Sequence, residues 1–516
     1  MSRPTGPRGQ IWFWTIISLL VGVAIGGLVL AVFAWRPLES QDSLGKIPPF
    51  WSFDWTEKVD GDGWFNAART AVTALGALGI GAAAYIAYRR QAAKEVERYD
   101  ALDRDAQEVV RALHDRTTAA AEQLGHENAS VRMAGVYAHA AIADDWLKVD
   151  GRSQAQSVID VLAAYLRGNT YPDTAPSAGE SETHSGFDRE RHVRSSIFRV
   201  IGERRSEADD RWMDLRVDLK HADLSHDDLA SVNLTAANLI DANLTGTNLN
   251  RATLNRANMH GAILIDAQLT SANLTDVNLV GANLTAANLT SANLIDAQLT
   301  DAQLSHAQLN GAELNGAQMQ RAKLNDATLI DATLTAANLS RAKMHRAKLH
   351  QAALNNTKLN GANLTSAILF NANLASANLT AANLTSTILT STNLTSADLT
   401  DANLTDANLT DAILYRANLF RANLTSANLY HANLIDAQLT SANLTRTNLD
   451  AANLYKANLT RTNLQYANVN GATVVSANLD CARGVNQGQF TPEQVASMNV
   501  QPPFEGLDAE EPEGGA

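Results

Sequence analysis

The sequence predicts a long solenoid wound from short extended segments, preceded by two transmembrane helices and a small α-helical region. Three observations carry this expectation. An apolar residue recurs at every fifth position from Leu219 to Leu479 without one insertion. All eight Trp lie between Trp12 and Trp212, so the 516-residue chain has two compositionally different halves. Two uncharged stretches, 11–35 and 70–88, stand near the N-terminus.

Ile11 to Trp35 is a run of 25 residues without a charge, bracketed by Arg8 and Arg36, with Trp12, Trp14 and Trp35 placed as in an interfacial aromatic belt. It is long enough to span a bilayer, and its end, Ala-Val-Phe-Ala-Trp, lacks a small-x-small cleavage site, so it reads as an uncleaved anchor. A second span is expected over 70–88. Gly22 and Gly26 in the first, with Gly76, Gly79 and Gly81 in the second, would let the two helices approach closely. Arg3 and Arg8 before the first span, and Arg89, Arg90, Lys94 and Arg98 after the second, place both termini in the cytoplasm, as in a multi-pass protein of the cell membrane. Residues 1–10 are then a cytosolic N-terminus and 36–69 an acidic extracytoplasmic loop. The aromatic residues of that loop, Trp51, Phe53, Trp55, Trp64 and Phe65, either rest at the bilayer interface or take an external ligand.

Residues 89–213 read as a cytosolic helical region. From Arg89 to about Leu124, Val96, Val109, Val110 and Leu113 recur at helical spacing among Ala, Glu, Arg and Asp. Shorter helices are expected near 129–147, 154–167 and 188–204, with 168–186, rich in Pro, Ser, Gly and Thr, as a linker. His139, His184 and His192 do not stand at metal-ligand spacing, and no catalytic role is assigned here.

The repeat tract decides the fold. It holds 53 repeats centred on 48 Leu and on Met259, Met319, Met344, Val469 and Val474; the residue two before the centre is Ala in 43 of them. On an α-helix five residues turn the side chain through about 500°, so successive Leu would spiral around the helix. On a flat strand an odd period throws successive Leu to opposite faces. A chain that turns a corner once per repeat keeps every Leu inside. Residues 214–481 are therefore expected to wind with Leu and Ala along the axis and Asn, Thr, Ser and Asp outward.

These Ala-Asn-Leu-Thr-Ser units resemble the pentapeptide repeat proteins. The resemblance implies a right-handed quadrilateral β-helix with four repeats per coil, so that residues 20 apart stack in columns. At ~4.8 Å between stacked strands, about 13 coils make a rod roughly 60 Å long. Val131-Arg-Met-Ala-Gly-Val-Tyr and Arg191-His-Val-Arg, followed by Trp212, are similar to the helical region of membrane-bound bacterial members. A solenoid needs covered ends. The helices before Leu219 would close one end. Residues 482–502 would cap the other, with Phe490 beside a short helix whose N-cap, N1 and N2 are Thr491, Pro492 and Glu493. Residues 503–516 are acidic and expected to be disordered. Asp227 occupies an inward Ala slot, where a buried unpaired carboxylate would be costly, and is expected to mark a loose first coil.

Two surface patches follow from the 20-residue columns. Tyr415, Ile435 and Tyr455 share one outward position on three consecutive coils, and Arg416, Asp436 and Lys456 share the next. Exposed Tyr and Ile among Thr, Ser and Asn suit a protein-binding hot spot, or else form a stabilising ladder with a salt bridge. The second patch stacks Arg321 on Arg341 and Lys323 on Lys343, with Arg346 and Lys348 around the next corner. Stacked like charges suit an anionic partner, or else form a solvated face with counterions.

Several functions are excluded or disfavoured. A rod packed with Leu and Ala, with convex polar faces, offers no dry pocket for catalysis, so no enzyme, cofactor or metal is expected. His226 and His306 share a column but lie four coils apart, and only His345 and His350 are near neighbours. The single Cys481 excludes a disulfide framework. The net charge of −13 divides into −5 over 1–214, −3 over 215–481 and −5 over 482–516, with no segment basic enough for general nucleic-acid affinity. The expected function is a membrane-anchored, non-enzymatic scaffold that presents its β-helical surface to an unknown protein partner. The resemblance implies an alternative, since some family members mimic B-form DNA and protect DNA gyrase from inhibitors. That mechanism needs a strongly negative rod, which a tract at −3 is not.

Overall fold

In a computed structural model the described residues are 61–168, 181–206, 210–484 and 489–498, with Ser18, Val21, Gly22 and Ala24–Gly26. The chain divides into two units, residues 1–111 and 112–516. The helices are α1 (Gly61–Leu124), α2 (Ala129–Lys148), α3 (Arg152–Gly168), α4 (Ser181–Arg204) and α5 (Pro492–Ser497).

The expected membrane hairpin is corrected. Among the described residues no helix is long and apolar enough to cross a membrane. The expected second span, 70–88, lies within α1, which begins at Gly61 and runs without interruption for 64 residues, into the charged stretch that follows Tyr88. Ten of the nineteen residues of 70–88 are Ala or Gly, whose small apolar area supplies little transfer free energy per residue. The two-helix membrane anchor falls with this span, as do bilayer attachment through two such helices and the multi-pass placement with cytoplasmic termini. The first expected span, 11–35, lies outside the described residues apart from the six positions named above.

The repeat tract closes one coil every 20 residues. Parallel bridges join residues at that interval throughout, from Asp218↔Asn238 to Asn463↔Arg483. With each repeat numbered from its central Leu at position i, the reason lies in the corner residue i+2. Every one of these residues has φ near +60°, from His221 at 58° to Cys481 at 53°. A hydrogen bond from the i+3 amide to the Leu carbonyl closes each turn, as in Ala222 N to Leu219 O at 3.0 Å, which together with the positive φ marks a type II turn. Thr, Val or Ile fills i+1 in about half of the repeats and never fills i+2. A β-branched side chain there would clash with its own backbone at positive φ.

All five backbone N–H groups of a repeat can then be accounted for. Those of i−1, i and i+2 bond between coils, as in Asn238 N to Val217 O (2.9 Å), Leu219 N to Asn238 O (2.7 Å) and His221 N to Ile240 O (2.9 Å). The i+3 amide closes the turn. The i+1 amide is taken by the side chain of Asn at i−1, as in Thr235 N to Asn233 Oδ1 at 2.9 Å. Repeat preferences thus follow from hydrogen-bond closure as well as from burial. Where Thr replaces Ala inside, its hydroxyl donates to a Leu carbonyl, of the preceding coil for Thr247 (Leu224, 2.7 Å), Thr357, Thr387, Thr392 and Thr447 and of its own turn for Thr462 (Leu459, 2.6 Å).

One apolar core runs from Leu113 through the helices and along the rod to Ala482. The helical region closes the first coil. Asn128 caps α2 by accepting from Ser130 N at 2.9 Å. At Gly135 a Cβ would stand 2.7 Å from Leu124 N, so only glycine lets α2 lie against the end of α1. Trp212 Nε1 donates to Asp144 at 2.9 Å, and Arg204 and Arg211 pair with the same carboxylate, each at 3.0 Å. Arg205, fully buried, donates to the carbonyls of Trp212 (3.2 Å), Leu215 (2.6 Å) and Thr235 (2.5 Å), and burial lowers its pKa.

Asp227 does not mark a loose coil. It is buried and paired with the buried Arg194 of α4, Nη2 to Oδ2 at 2.7 Å, and the same guanidinium donates to Asp223 O at 2.6 Å and Leu166 O at 3.1 Å. The carboxylate sits in an Ala slot because the helical cap brings its cation. Arg191 of the same helix donates to His226 O at 2.7 Å, and Gln156 exchanges two hydrogen bonds with the backbone of Arg216.

At the far end α5 carries a capping box between Thr491 and Gln494. Gln489 donates to Leu464 O and Ala467 O, and Gln494 to Val469 O and Ala472 O. Their five-residue offset keeps the register of the rod, so two side-chain amides take the place of the next coil's N–H donors.

Two outcomes test this account. Ser396→Val should cost about 1–3 kcal/mol through strain at the corner, whereas Ser396→Gly should be close to neutral, read as amide exchange across coil 396–415. Asp227→Ala should destabilise the junction by about 3–5 kcal/mol because it strands a buried guanidinium, and adding Arg194→Met should restore most of that. Urea unfolding followed by tryptophan fluorescence compares the two.

Candidate interaction surfaces

Much of the Asn and Thr on the rod's faces is bonded to its own ladder. On one face Asn403, Asn423, Asn443 and Asn463 each donate to the Thr hydroxyl of the preceding coil (Thr385, Thr405, Thr425, Thr445) at 2.9 Å. Those hydroxyls in turn donate to the Asn of their own coil, as Thr405 does to Asn403 at 2.7 Å. Such a face has spent its directional hydrogen-bonding capacity. Binding free energy has to come from places where apolar or charged side chains interrupt the ladders.

The first interruption is the column Tyr415, Ile435 and Tyr455. It continues to Val475, 42% exposed, and Ile413, 40% exposed, lies beside Tyr415 on the same face. The corner residues fold back over the rings: Arg416 over Tyr415 at 4.9 Å and Lys456 over Tyr455 at 5.0 Å. Arg416 approaches Asp436 at 3.8 Å, whereas Lys456 lies over its ring. Phe420 and Arg421 repeat the ring-and-cation arrangement on the next face at 5.0 Å. Each such contact adds about 0.5–1 kcal/mol at an exposed site and restricts the ring it covers.

The second interruption is the basic patch, and the structure sorts its members. Arg321 forms a two-pronged ion pair with Asp301 one coil earlier, and Arg346 reaches Asp326 at 3.1 Å. Each thus turns to the stacked carboxylate one coil earlier, and Arg321 turns away from Arg341. Lys323 and Lys343 are bridge partners on one face, Arg341 stands at its corner, and Lys348 lies on the next face. Sequence reasoning missed what adjoins them: Ile368 and Ile388 continue the Lys348 column, and Phe370 shares their face. The signal was the same period of twenty.

Electrostatics on the rod are local. The hydrogen bond from Arg321 holds the Asp301 carboxyl below its ordinary value, and that from Arg421 does the same for Asp401. Among the described residues no cluster of His, Cys, Asp and Glu could hold a metal ion.

A capped β-solenoid whose Asn–Thr ladders are interrupted at two patches belongs to a class of extended, generally non-catalytic structural or interaction proteins. The family described as Pentapeptide repeats (8 copies) matches in successive segments that cover residues 216–480. The chain belongs to the pentapeptide repeat family. It is similar to HetL, a pentapeptide repeat protein involved in heterocyst differentiation regulation from Nostoc sp. strain PCC 7120, at 35% identity over 39% of this chain and 90% of that one, TM-score 0.38. It is also similar to the pentapeptide repeat protein Rfr23 of Cyanothece 51142, at 36% identity over 17% and 60%, TM-score 0.17. The plasmid-mediated fluoroquinolone resistance protein QnrB1 matches at 18% identity over 31% and 77%, TM-score 0.25. No curated protein matches the sequence.

The ion pairs make a pH prediction. A depressed carboxylate contributes stability above its unfolded pKa and loses it as pH falls through the folded value. Asp301 and Asp401 should therefore titrate below unpaired Asp residues in carboxyl NMR, and Arg321→Gln should return Asp301 alone to the ordinary range.

Proposed function

We propose that this protein is a non-enzymatic scaffold whose rod presents a defined protein-binding face, formed by Tyr415, Ile435 and Tyr455 with Arg416, Asp436 and Lys456 along its edge. One observation carries the reading: four consecutive coils place Tyr, Ile, Tyr and Val in one column, Tyr455 and Val475 exposed and Tyr415 and Ile435 half-buried, where neighbouring columns carry mostly amides and hydroxyls. Rings already held by cations lose little side-chain freedom when a partner covers them. Tyrosine also offers a large apolar area with a polar tip, the combination favoured at interface centres.

DNA mimicry is not supported by charge. The tract 215–481 carries −3, with Lys323, Lys343, Arg341 and Lys348 on its faces, whereas a duplex mimic needs a dense run of carboxylates.

A benzophenone amino acid placed at position 435 should cross-link a protein in cells, whereas the same group at Thr405, on the bonded Asn–Thr face, should not. Tyr415→Ala with Tyr455→Ala should abolish the adduct while changing rod stability by no more than about 1 kcal/mol, since both side chains are partly exposed. Equal adducts from both positions would make the column a purely structural ladder.

A further inference from the structure

The basic patch and the apolar residues beside it lie on other faces than the tyrosine column and form one continuous surface. Four of the six lysines of the repeat tract fall within 36 residues, all at i−1, where most repeats place Asn or another amide. Lys323 and Lys343 sit side by side, and Lys348 leads the column on the adjoining face. Among the described residues the ion pairs to Asp301 and Asp326 engage Arg321 and Arg346, and leave Lys323, Arg341, Lys343 and Lys348 without a carboxylate. Around the corner at Arg346, Lys348 is followed at twenty-residue steps by Ile368 and Ile388. Phe370 lies beside Ile368; Phe370 is 41% and Ile388 38% exposed.

This arrangement works against local stability. A lysine at i−1 gives up the Asn side-chain acceptor for the i+1 amide, and at His345 that acceptor is replaced by Asn325 of the preceding coil, at 3.2 Å. Directly paired Lys323 and Lys343 also repel. A rod indifferent to ligands would be better served by the amides found at Gln303 and Asn363 in the same column.

We propose that this surface docks an acidic protein segment carrying an aromatic or branched aliphatic anchor. Its carboxylates would lie against Lys323, Arg341, Lys343 and Lys348, and its anchor against Ile368, Phe370 and Ile388. Charge complementarity selects an acidic ligand, and the apolar limb selects a peptide over a bare polyanion, whose phosphates would leave Phe370 and the two isoleucines unused. The footprint is also small. Asp301, Glu313, Asp326 and Asp331 lie on the same coils, so an extended anionic surface such as a duplex or a bilayer would meet carboxylates as well as lysines.

The test uses the full chain and two fluorescein-labelled octapeptides, one of Glu with a single Phe and a single Ile, the other all Glu. Fluorescence anisotropy should show the first binding more tightly, with an affinity that falls as salt rises. Lys323→Gln with Lys343→Gln should weaken it by about tenfold while the melting temperature stays level or rises, which separates lost binding from lost fold. Phe370→Ala should weaken the Phe-containing peptide and leave the all-Glu peptide unchanged. Equal affinity for the two peptides, indifference to these substitutions, or tighter binding of duplex DNA or phosphatidylserine vesicles would each overturn the proposal.

Discussion

One left-handed residue in every five is the constraint on which this structure depends. It turns the chain at each corner, brings the twentieth residue back above the first, and so lets three of five backbone amides per repeat bond between coils. Each such corner costs of order 1 kcal/mol in a residue other than glycine. That cost is offset by closing hydrogen bonds and burying a Leu and an Ala together, and neither gain exists until the coil is complete. The exclusion of Thr, Val and Ile from i+2, while they crowd i+1, is the sequence record of this constraint.

Coil-upon-coil bonding leaves two unpaired ends, and the two are closed by different means. The C-terminal end uses Gln489 and Gln494, whose amides stand in for backbone donors at the repeat's own spacing. The N-terminal end receives a helical domain and joins it with arginines: Arg194 to a buried carboxylate, Arg205 to three carbonyls, and Arg191 to a fourth. A planar guanidinium with five donors suits this task, since the first coil offers several carbonyls close together and no matching strand. The Asp227 carboxylate stabilises little by itself, because burying both charges costs nearly what their attraction returns. What it adds is a single permitted placement of α4 on the rod.

The axial core and the 20-residue columns were legible in the sequence because the period is unbroken, so that numbering alone places Lys343 above Lys323 and Tyr455 above Ile435. Contacts that leave the period were not legible. The partner of Asp227 lies 33 residues upstream on a helix, and nothing in the repeat announces it. A column lists neighbours on both sides of a residue but not which one a long side chain chooses; Arg321 turns to Asp301 and away from Arg341. The uncharged 70–88 read as a membrane span because length and lack of charge were weighed above the small area of Ala and Gly, and because nothing in the pattern marked α1 as one helix starting at Gly61.

A rod whose amides and hydroxyls are paired along its length cannot bind through them without breaking what it already has. Each Asn–Thr hydrogen bond lost to a partner is only exchanged for another, with no net gain to hold the complex. Recognition is therefore confined to positions where the ladder is interrupted, and there the regular spacing becomes an advantage. Side chains repeated every coil stand ~4.8 Å apart in a rigid line, so a partner meets them without ordering cost on the rod's side. An extended protein segment places alternate side chains about 6.4–6.8 Å apart, and so can meet such a line only at selected coils. A column of three or four apolar or cationic residues therefore specifies where a partner sits along the rod, as well as which face it takes.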